Sequence, residues 1–463
     1  MLLSSWTPQG VAALVAGRAA RSFYNDQSMY FLYSLSLAVL LALGAPWWTL
    51  QMLRSGKYRA GLAERFGRVP ARLRSNAAAA CIWVHAVSVG EVLAIAGFVR
   101  ELRAKFPACR VLVSTTTATG QKLARERFGA ENVFYFPLDF AFAIRPYLRA
   151  LHPELVIIAE TEFWPNFLRL SKRSGARIAV VNARLSDRSF PRYRPFQGIM
   201  RAVLEHVDLF CTQTEEDARR LRAVGAPAQR IQVSGNMKFD LKLPSPPLIA
   251  SLRAALKDAG PVIVCGSTVE GEEPVTVHAF RQVQAKYPDA VMILAPRHPE
   301  RFAPVAELLV SSQVRFWRRT QWNPAEKLSG GIFLLDSIGE LGAVYSLASI
   351  AFVGGSLAPR GGHNILEPAY FSVPILVGPH TENFRDIVTQ FARAGAVRVV
   401  QDGQQLTAAF LALLSDSSER EALGRRAAEV VRQGAGATGR TLASLERLHT
   451  QPAHKTANVE VSS

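Results

Sequence analysis

The chain is poor in cysteine. Four thiols stand in 463 residues, Cys81, Cys109, Cys211 and Cys265, and no CxxC pair occurs. This argues against a disulfide scaffold and against a zinc ribbon. Each thiol lies in or beside an apolar run, the pattern of a buried, reduced thiol in a cytosolic setting. A P-loop is absent too, and no GxGxxG follows the first apolar run with a downstream acid. No HExxH or clustered His/Asp set occurs, and the nine histidines are scattered, so no metal site is expected. His85 and His298 read as structural or phosphate-contacting residues. Acidic side chains are outnumbered, 37 Asp+Glu against 54 Lys+Arg, for a formal net charge of +17. Such an excess suits an acidic membrane surface or a phosphorylated substrate. No zinc-finger spacing or aromatic RNA-binding signature accompanies it, and the basic residues are spread along the chain, so nucleic acid is not an expected partner.

Charge is also missing from Met29 to Leu50, a length that suits the core of a bilayer. Tyr30, Tyr33, Trp47 and Trp48 fall near its ends, where an aromatic belt would sit. Arg54, Lys57, Arg59, Arg65, Arg68, Arg72 and Arg74 follow it, and only Arg18 and Arg21 precede it. By the positive-inside rule, residues 29–50 form a transmembrane anchor with the body of the chain in the cytoplasm. Gly44 and Pro46 leave open a second reading, a helix that ends early and lies in the interface. Residues 1–28 read as a weakly ordered extension. The position of the run, far from Met1, argues against a cleaved signal peptide.

At 463 residues the body is too long for one ordinary core. From Ala80 onward, short apolar runs alternate with amphipathic stretches. The first series is Ile82–Val87, Arg110–Ser114, Val133–Phe136, Leu155–Ala159, Ile178–Val181, Leu209–Thr212 and Ile231–Val233. After a proline-containing link the pattern restarts with Val262–Cys265, Val291–Ala295, Ile332–Leu335, Ile350–Val353, Ile375–Val377 and Val397–Val400. Repeated strand–helix units imply parallel sheets flanked by helices. The expectation is therefore an α/β protein of two doubly wound, Rossmann-like domains facing a cleft: residues 51–239, a linker at 240–250, and residues 251–450. Residues 451–463 read as a disordered tail.

Ligands in such folds bind past the carboxyl ends of the strands, so those loops are where chemistry is sought. After the first strand, His85-Ala86-Val87-Ser88-Val89-Gly90-Glu91 brings Glu91 to the opening turn of a helix. There it could serve as a general base, or simply as the acid that a helix dipole favours. After the fourth, Glu160-Thr161-Glu162-Phe163-Trp164-Pro165-Asn166 sets two carboxylates on one side if the strand continues. Their plainer reading is a pair of solvated loop acids. Lys238, in Gly235-Asn236-Met237-Lys238-Phe239-Asp240, stands at the domain boundary, where an ammonium could meet an anion or merely decorate a linker. The second half offers the hydroxyl-rich turn Gly266-Ser267-Thr268, Arg297 in Ala295-Pro296-Arg297-His298, and the turn Asp336-Ser337-Ile338-Gly339-Glu340. Above all it offers Phe352-Val353-Gly354-Gly355-Ser356-Leu357-Ala358-Pro359-Arg360-Gly361-Gly362-His363-Asn364-Ile365-Leu366-Glu367-Pro368. A buried strand, a glycine turn and a helix start make an expected anion site, with Glu367 placed for a ribose diol.

These stretches together resemble a known family. KYRAGLAERFG (57–67), HAVSVGE (85–91), ETEFWPN (160–166), GNMKFD (235–240), GSTVEGEE (266–273), APRHPERF (295–302) and GGSLAPRGGHNILEPA (354–369) are similar, in order, to motifs of the 3-deoxy-D-manno-octulosonic acid (Kdo) transferases. The extension before Met29 is longer than that pattern. The resemblance implies a GT-B fold, an inner-membrane anchor and a cytoplasmic enzyme. It implies inverting transfer of Kdo from CMP-Kdo to a tetraacylated lipid A precursor, lipid IVA, in lipopolysaccharide synthesis, with no cofactor. It assigns Glu91 as general base, and Glu160 and Lys238 to transition-state stabilisation. It assigns CMP to Pro296, Arg297, Ile338, Gly339, Glu340, Asn364, Ile365, Leu366 and Glu367. The expected partners are CMP-Kdo, the lipid A precursor and inner-membrane lipids. Two alternatives stand beside it: another GT-B sugar-nucleotide enzyme, such as an epimerase, and a non-catalytic membrane-tethered protein that binds nucleotide or lipid.

Overall fold

The structure is a computed structural model that describes residues 26–55, 60–74, 80–187, 189–241, 243 and 246–450. The expected extension up to residue 25, Lys57 and Arg59 of the basic run, and the tail 451–463 lie outside the described residues. The chain divides into two compact units, residues 1–240 with 436–463, and residues 241–435.

In unit 1, seven strands form one sheet: β1 (Cys81–His85), β2 (Arg110–Thr115), β3 (Val133–Tyr135), β4 (Pro153–Ala159), β5 (Arg177–Ala183), β6 (Leu209–Thr212) and β7 (Ile231–Val233). Their order is β3-β2-β1-β4-β5-β6-β7, and every neighbouring pair is parallel. The apolar runs are continuous because the sheet is covered on both faces. Along β1, Cys81 and Trp83 enter one core, and Ile82 and Val84 enter the other, as period-two geometry requires. In unit 2 the strands are β8 (Val262–Thr268), β9 (Val291–Pro296), β10 (Phe316–Arg318), β11 (Gly331–Leu334), β12 (Ile350–Val353), β13 (Ile375–Val377) and β14 (Arg398–Val399). They form a second parallel sheet in the order β10-β11-β9-β8-β12-β13-β14. The strand β10 has no counterpart in the sequence reading, because three residues ending in an arginine give no apolar run.

Six helices frame the candidate sites and the apolar N-terminal run: α1 (Asp26–Ser55), α2 (Val89–Lys105), α3 (Pro165–Arg173), α4 (Pro247–Ala255), α5 (Glu272–Lys286) and α6 (Ala437–Thr450). Both expected edges of the second domain shift. Leu248, Ile249 and Leu252 of α4 are buried in the core of unit 2, so much of the expected linker is part of that unit. The expected domain end at 450 moves to 435. Ala437, Leu442 and Leu445 of α6 pack into the core of unit 1 with Ile82 and Val84. Asp240 fastens this return, accepting from the Gly436 and Thr438 amides at 2.5 Å each.

The apolar run expected at 29–50 is one continuous helix, α1, with Pro46 inside it. It is long and apolar enough to cross a membrane. Neither Gly44 nor Pro46 ends it. One face belongs to unit 1. Tyr30 is buried and bonded to His206 Nε2 at 2.8 Å, beneath the Arg169 guanidinium at 4.0 Å. Ser34 accepts from Asn166 Nδ2 at 3.0 Å. The opposite face exposes Phe31, Leu35, Val39, Leu43 and Trp47.

Candidate active site

The Glu91 site begins with a capping box. Ser88 Oγ accepts from the Glu91 amide at 3.4 Å and donates to Glu91 Oε1 at 2.9 Å. The Val87 amide donates to Glu91 Oε2 at 2.7 Å. A serine and a glutamate three residues apart thus start α2 and fix the carboxylate at the carboxyl end of β1. Glu91 is only 8% exposed. Burial, then the charges of Glu162 and Glu160, push its pKa up to about 8 against the two hydrogen bonds. Burial, then Glu160, pushes Glu162 up to about 7. Three carboxyl groups therefore gather in one partly water-free place, and two of them, Glu91 and Glu162, are raised into the neutral range. That is the setting of a tuned general base.

The two loop acids reach this place by a route the sequence reading did not give. The strand stops at Ala159, and Glu160 turns to φ 56°, the left-handed region. Alternation along a continued strand therefore does not hold. The turn is secured by the Glu160 amide, which donates to Val181 O at 2.9 Å. For a residue with a side chain such a backbone costs about 1 kcal/mol, and such costs persist where the surroundings over-determine them.

Other polar groups at this sheet edge are buried without partners: His85 Nε2, Thr116 Oγ1, Trp164 Nε1 and Asn182 Nδ2. They lie at or just past the ends of β1, β2, β4 and β5. His85 was read as structural or phosphate-contacting, and its ring is fully buried. Its ring stacks on Phe136 at 3.9 Å, its Nδ1 meets Ser114, and burial lowers its pKa to about 3, so it is neutral. Asn182 is a residue the sequence reading missed. It holds φ 53°, and its Oδ1 accepts from the Met237 amide at 3.0 Å. It thereby fixes the turn carrying Lys238, which is half-buried. Its signal was a lone asparagine closing the apolar run Ile178–Val181.

In unit 2, the residues expected to hold a nucleotide gather in part. Arg297 follows β9, is exposed, and is placed by its amide's bond to Thr268 O at 2.8 Å. Its charge faces His363 and Glu367. Burial, then the Arg297 and His298 charges, lowers His363 to about 4. Glu367 accepts from Asn364 Nδ2 at 3.1 Å, and burial raises its pKa. Pro296, Ile365 and Leu366 are buried, while Ile338 is 65% exposed beside Gly339. The Glu340 carboxylate is already engaged by Arg319 and Ser337.

The expected anion site on the glycine turn is corrected by the structure. The amides of Gly355, Ser356, Leu357 and Ala358 all donate to the carboxylate of Glu272, at 2.7 to 3.1 Å. The helix after the turn is only Leu366–Tyr370, and its Leu366 amide is taken by Asn364 Oδ1 at 3.1 Å. The sequence reading included Glu272 in a motif but gave it no role.

Two parallel, helix-flanked units, each with polar groups massed at the carboxyl edge of its sheet, define the GT-B fold. The fold is shared with UDP-GlcNAc 2-epimerase from Neisseria meningitidis, at a TM-score of 0.54 and 16% identity over 79% of this chain and 100% of that one. Residues 60–241 match the family 3-Deoxy-D-manno-octulosonic-acid transferase (kdotransferase). The chain is 36% identical over 401 residues to the 3-deoxy-D-manno-octulosonic acid transferase of Haemophilus influenzae, covering 85% of this chain and 92% of that one. It is 34% identical over 424 residues to the same enzyme of Bordetella pertussis, covering 89% and 98%. The chain belongs to the Kdo transferases, glycosyltransferases that use Kdo in lipopolysaccharide synthesis.

Proposed function

We propose that this transferase takes Kdo from CMP-Kdo and places it on a tetraacylated lipid A precursor, lipid IVA, with inversion at the anomeric carbon. The observation that carries the reading is Glu91, a buried carboxylate raised to about 8 at the carboxyl end of β1. Glu91 takes the proton of a sugar hydroxyl on the acceptor. That oxygen attacks the anomeric carbon of Kdo from the face opposite CMP, the anomeric carbon–oxygen bond to phosphate breaks, and CMP leaves. Lys238 stabilises the transition state, and Arg297 meets the charge of the CMP phosphate. Glu160 acts beside Glu91 in stabilising the transition state. Pro296, Ile338, Gly339, Glu340, Asn364, Ile365, Leu366 and Glu367 form the CMP end of the donor site, with Glu367 on the ribose.

The acceptor and the donor are both anionic, which suits a chain of net charge +17. Attachment to the inner membrane is through α1, with both units on the cytoplasmic side, where anionic lipids add to the attraction. The test is incubation of purified protein with a CMP-Kdo-generating system and lipid IVA, read by mass spectrometry. A mass gain of one or more Kdo units is expected, and NMR of the product gives the anomeric configuration. No gain with folded protein would overturn the donor–acceptor pair. Retained configuration would overturn the single-displacement route.

A further inference from the structure

We propose that Glu272 is a positioning residue for the donor site. Its carboxylate, rather than the donor's anionic group, fills the backbone cradle of the glycine turn. This assignment rests on the reading of unit 2 as the donor-binding unit.

Glu272 opens α5, is 1% exposed, and sends its two oxygens into the turn after β12. Oε2 accepts from the amides of Gly355 at 2.7 Å and Val269 at 3.1 Å. Oε1 accepts from Ser356 at 2.9 Å, Leu357 at 2.8 Å and Ala358 at 3.1 Å. Convergent amides of this kind make a concavity that selects an anion. Here the anion is covalently part of the chain. The amides of residues 354–358 are all engaged within the chain. The Gly354 amide donates to Gly266 O at 2.8 Å. The Ser356 hydroxyl donates to Val353 O at 2.5 Å and accepts from the Gly378 amide at 2.8 Å. A side chain at 354 would meet Glu272 Oε2 at 2.7 Å, which explains the glycine there.

The turn passes its position on. Gly355 O accepts from the Gly362 amide at 2.7 Å, and the His363 ring lies so close to Gly355 that an added Cβ would stand 2.7 Å from it. His363 and Asn364 therefore take their places from the clamped turn, and Asn364 in turn holds Glu367. The donor's negative charge is left to side chains, Arg297 and His298 foremost. Glutamine at 272 would turn an amide donor against amide donors and remove the charge they converge on.

The test has two arms on the full chain. Titration of CMP into wild type, Glu272→Gln and Glu272→Asp is read by calorimetry, with donor KM and kcat measured alongside. Glu272→Gln is expected to weaken CMP about ten- to a hundredfold and to raise donor KM with little change in kcat, and Glu272→Asp to recover part of the loss. A folded Glu272→Gln with wild-type CMP affinity overturns the proposal. The second arm needs no variant: hydrogen exchange of the 354–358 amides in wild type. Slow exchange without ligand, unchanged by CMP, is expected. Fast exchange that slows only when CMP is added would show that the cradle belongs to the ligand, and would overturn the proposal even if Glu272→Gln fails to fold. Should wild type not bind CMP at all, the donor reading of unit 2 is what fails, and the exchange of the free protein still decides the role of Glu272.

Discussion

Glu91 receives hydrogen bonds from Ser88 and Val87, both of which favour its charged form, and still keeps its proton to about pH 8. Burial and the neighbouring Glu162 and Glu160 charges win. The folded value lies above the ordinary 4.5, so the native state binds more protons between the two values, and stability from this group is lost as pH rises through that window. Activity runs the other way, because the base must be ionised. The kcat/KM profile is expected to rise with pH through a limb near 8. Glu162→Gln removes the larger of the two neighbouring charges, so its limb should fall at lower pH. A limb near the ordinary carboxyl value in both proteins would contradict the assignment. Glu91 was legible in the sequence because an acid opening a helix directly after an apolar run is a local signal. Asn182 and Glu272 were not, because their partners, Met237 and Gly355 to Ala358, are far off in the chain.

Helix α3 shows how an element is held in place by one buried acid. The Asp139 carboxylate accepts from the Asn166 amide at 3.0 Å and the Phe167 amide at 2.7 Å, and Asn166 Nδ2 reaches Asp139 O and Ser34 Oγ. Asp139→Ala removes this cap and is expected to cost about 2 kcal/mol, seen as a Tm lower by several degrees. An unchanged Tm would mean that the packing of Phe167 alone fixes the helix. Hydropathy located α1 but could not orient it. Tyr30, Tyr33 and Leu37 are buried against unit 1 rather than left to lipid. Its far end is followed within a few residues by Leu62–Arg65, also in unit 1. We therefore expect the start of α1 to lie on the cytoplasmic side with unit 1, and the stripe from Phe31 to Leu53 to meet the bilayer. In a Cys109→Ser background, Gln27→Cys should react with an impermeant maleimide in inside-out vesicles and not in spheroplasts. Labelling from the periplasmic side would establish a full crossing.

At the scale of the whole chain, the two series of apolar runs map onto the two parallel sheets, with β10 the one strand they omit. Local β-branched runs fix strands, so the doubly wound class could be read without a structure. The return of α6 to unit 1 could not, because an amphipathic helix does not encode which core it enters. Family membership follows from identity along most of the chain. The central claim of the mechanism is that Glu91 accepts the acceptor's proton. The most direct test compares wild type with Glu91→Gln in Kdo transfer at saturating donor and acceptor, with folding checked by thermal melting. A loss of about a hundred- to ten-thousandfold in kcat at unchanged Tm is predicted for a missing general base. Transfer within a few-fold of wild type would contradict the claim and move the search for the base to Glu160 and Glu162.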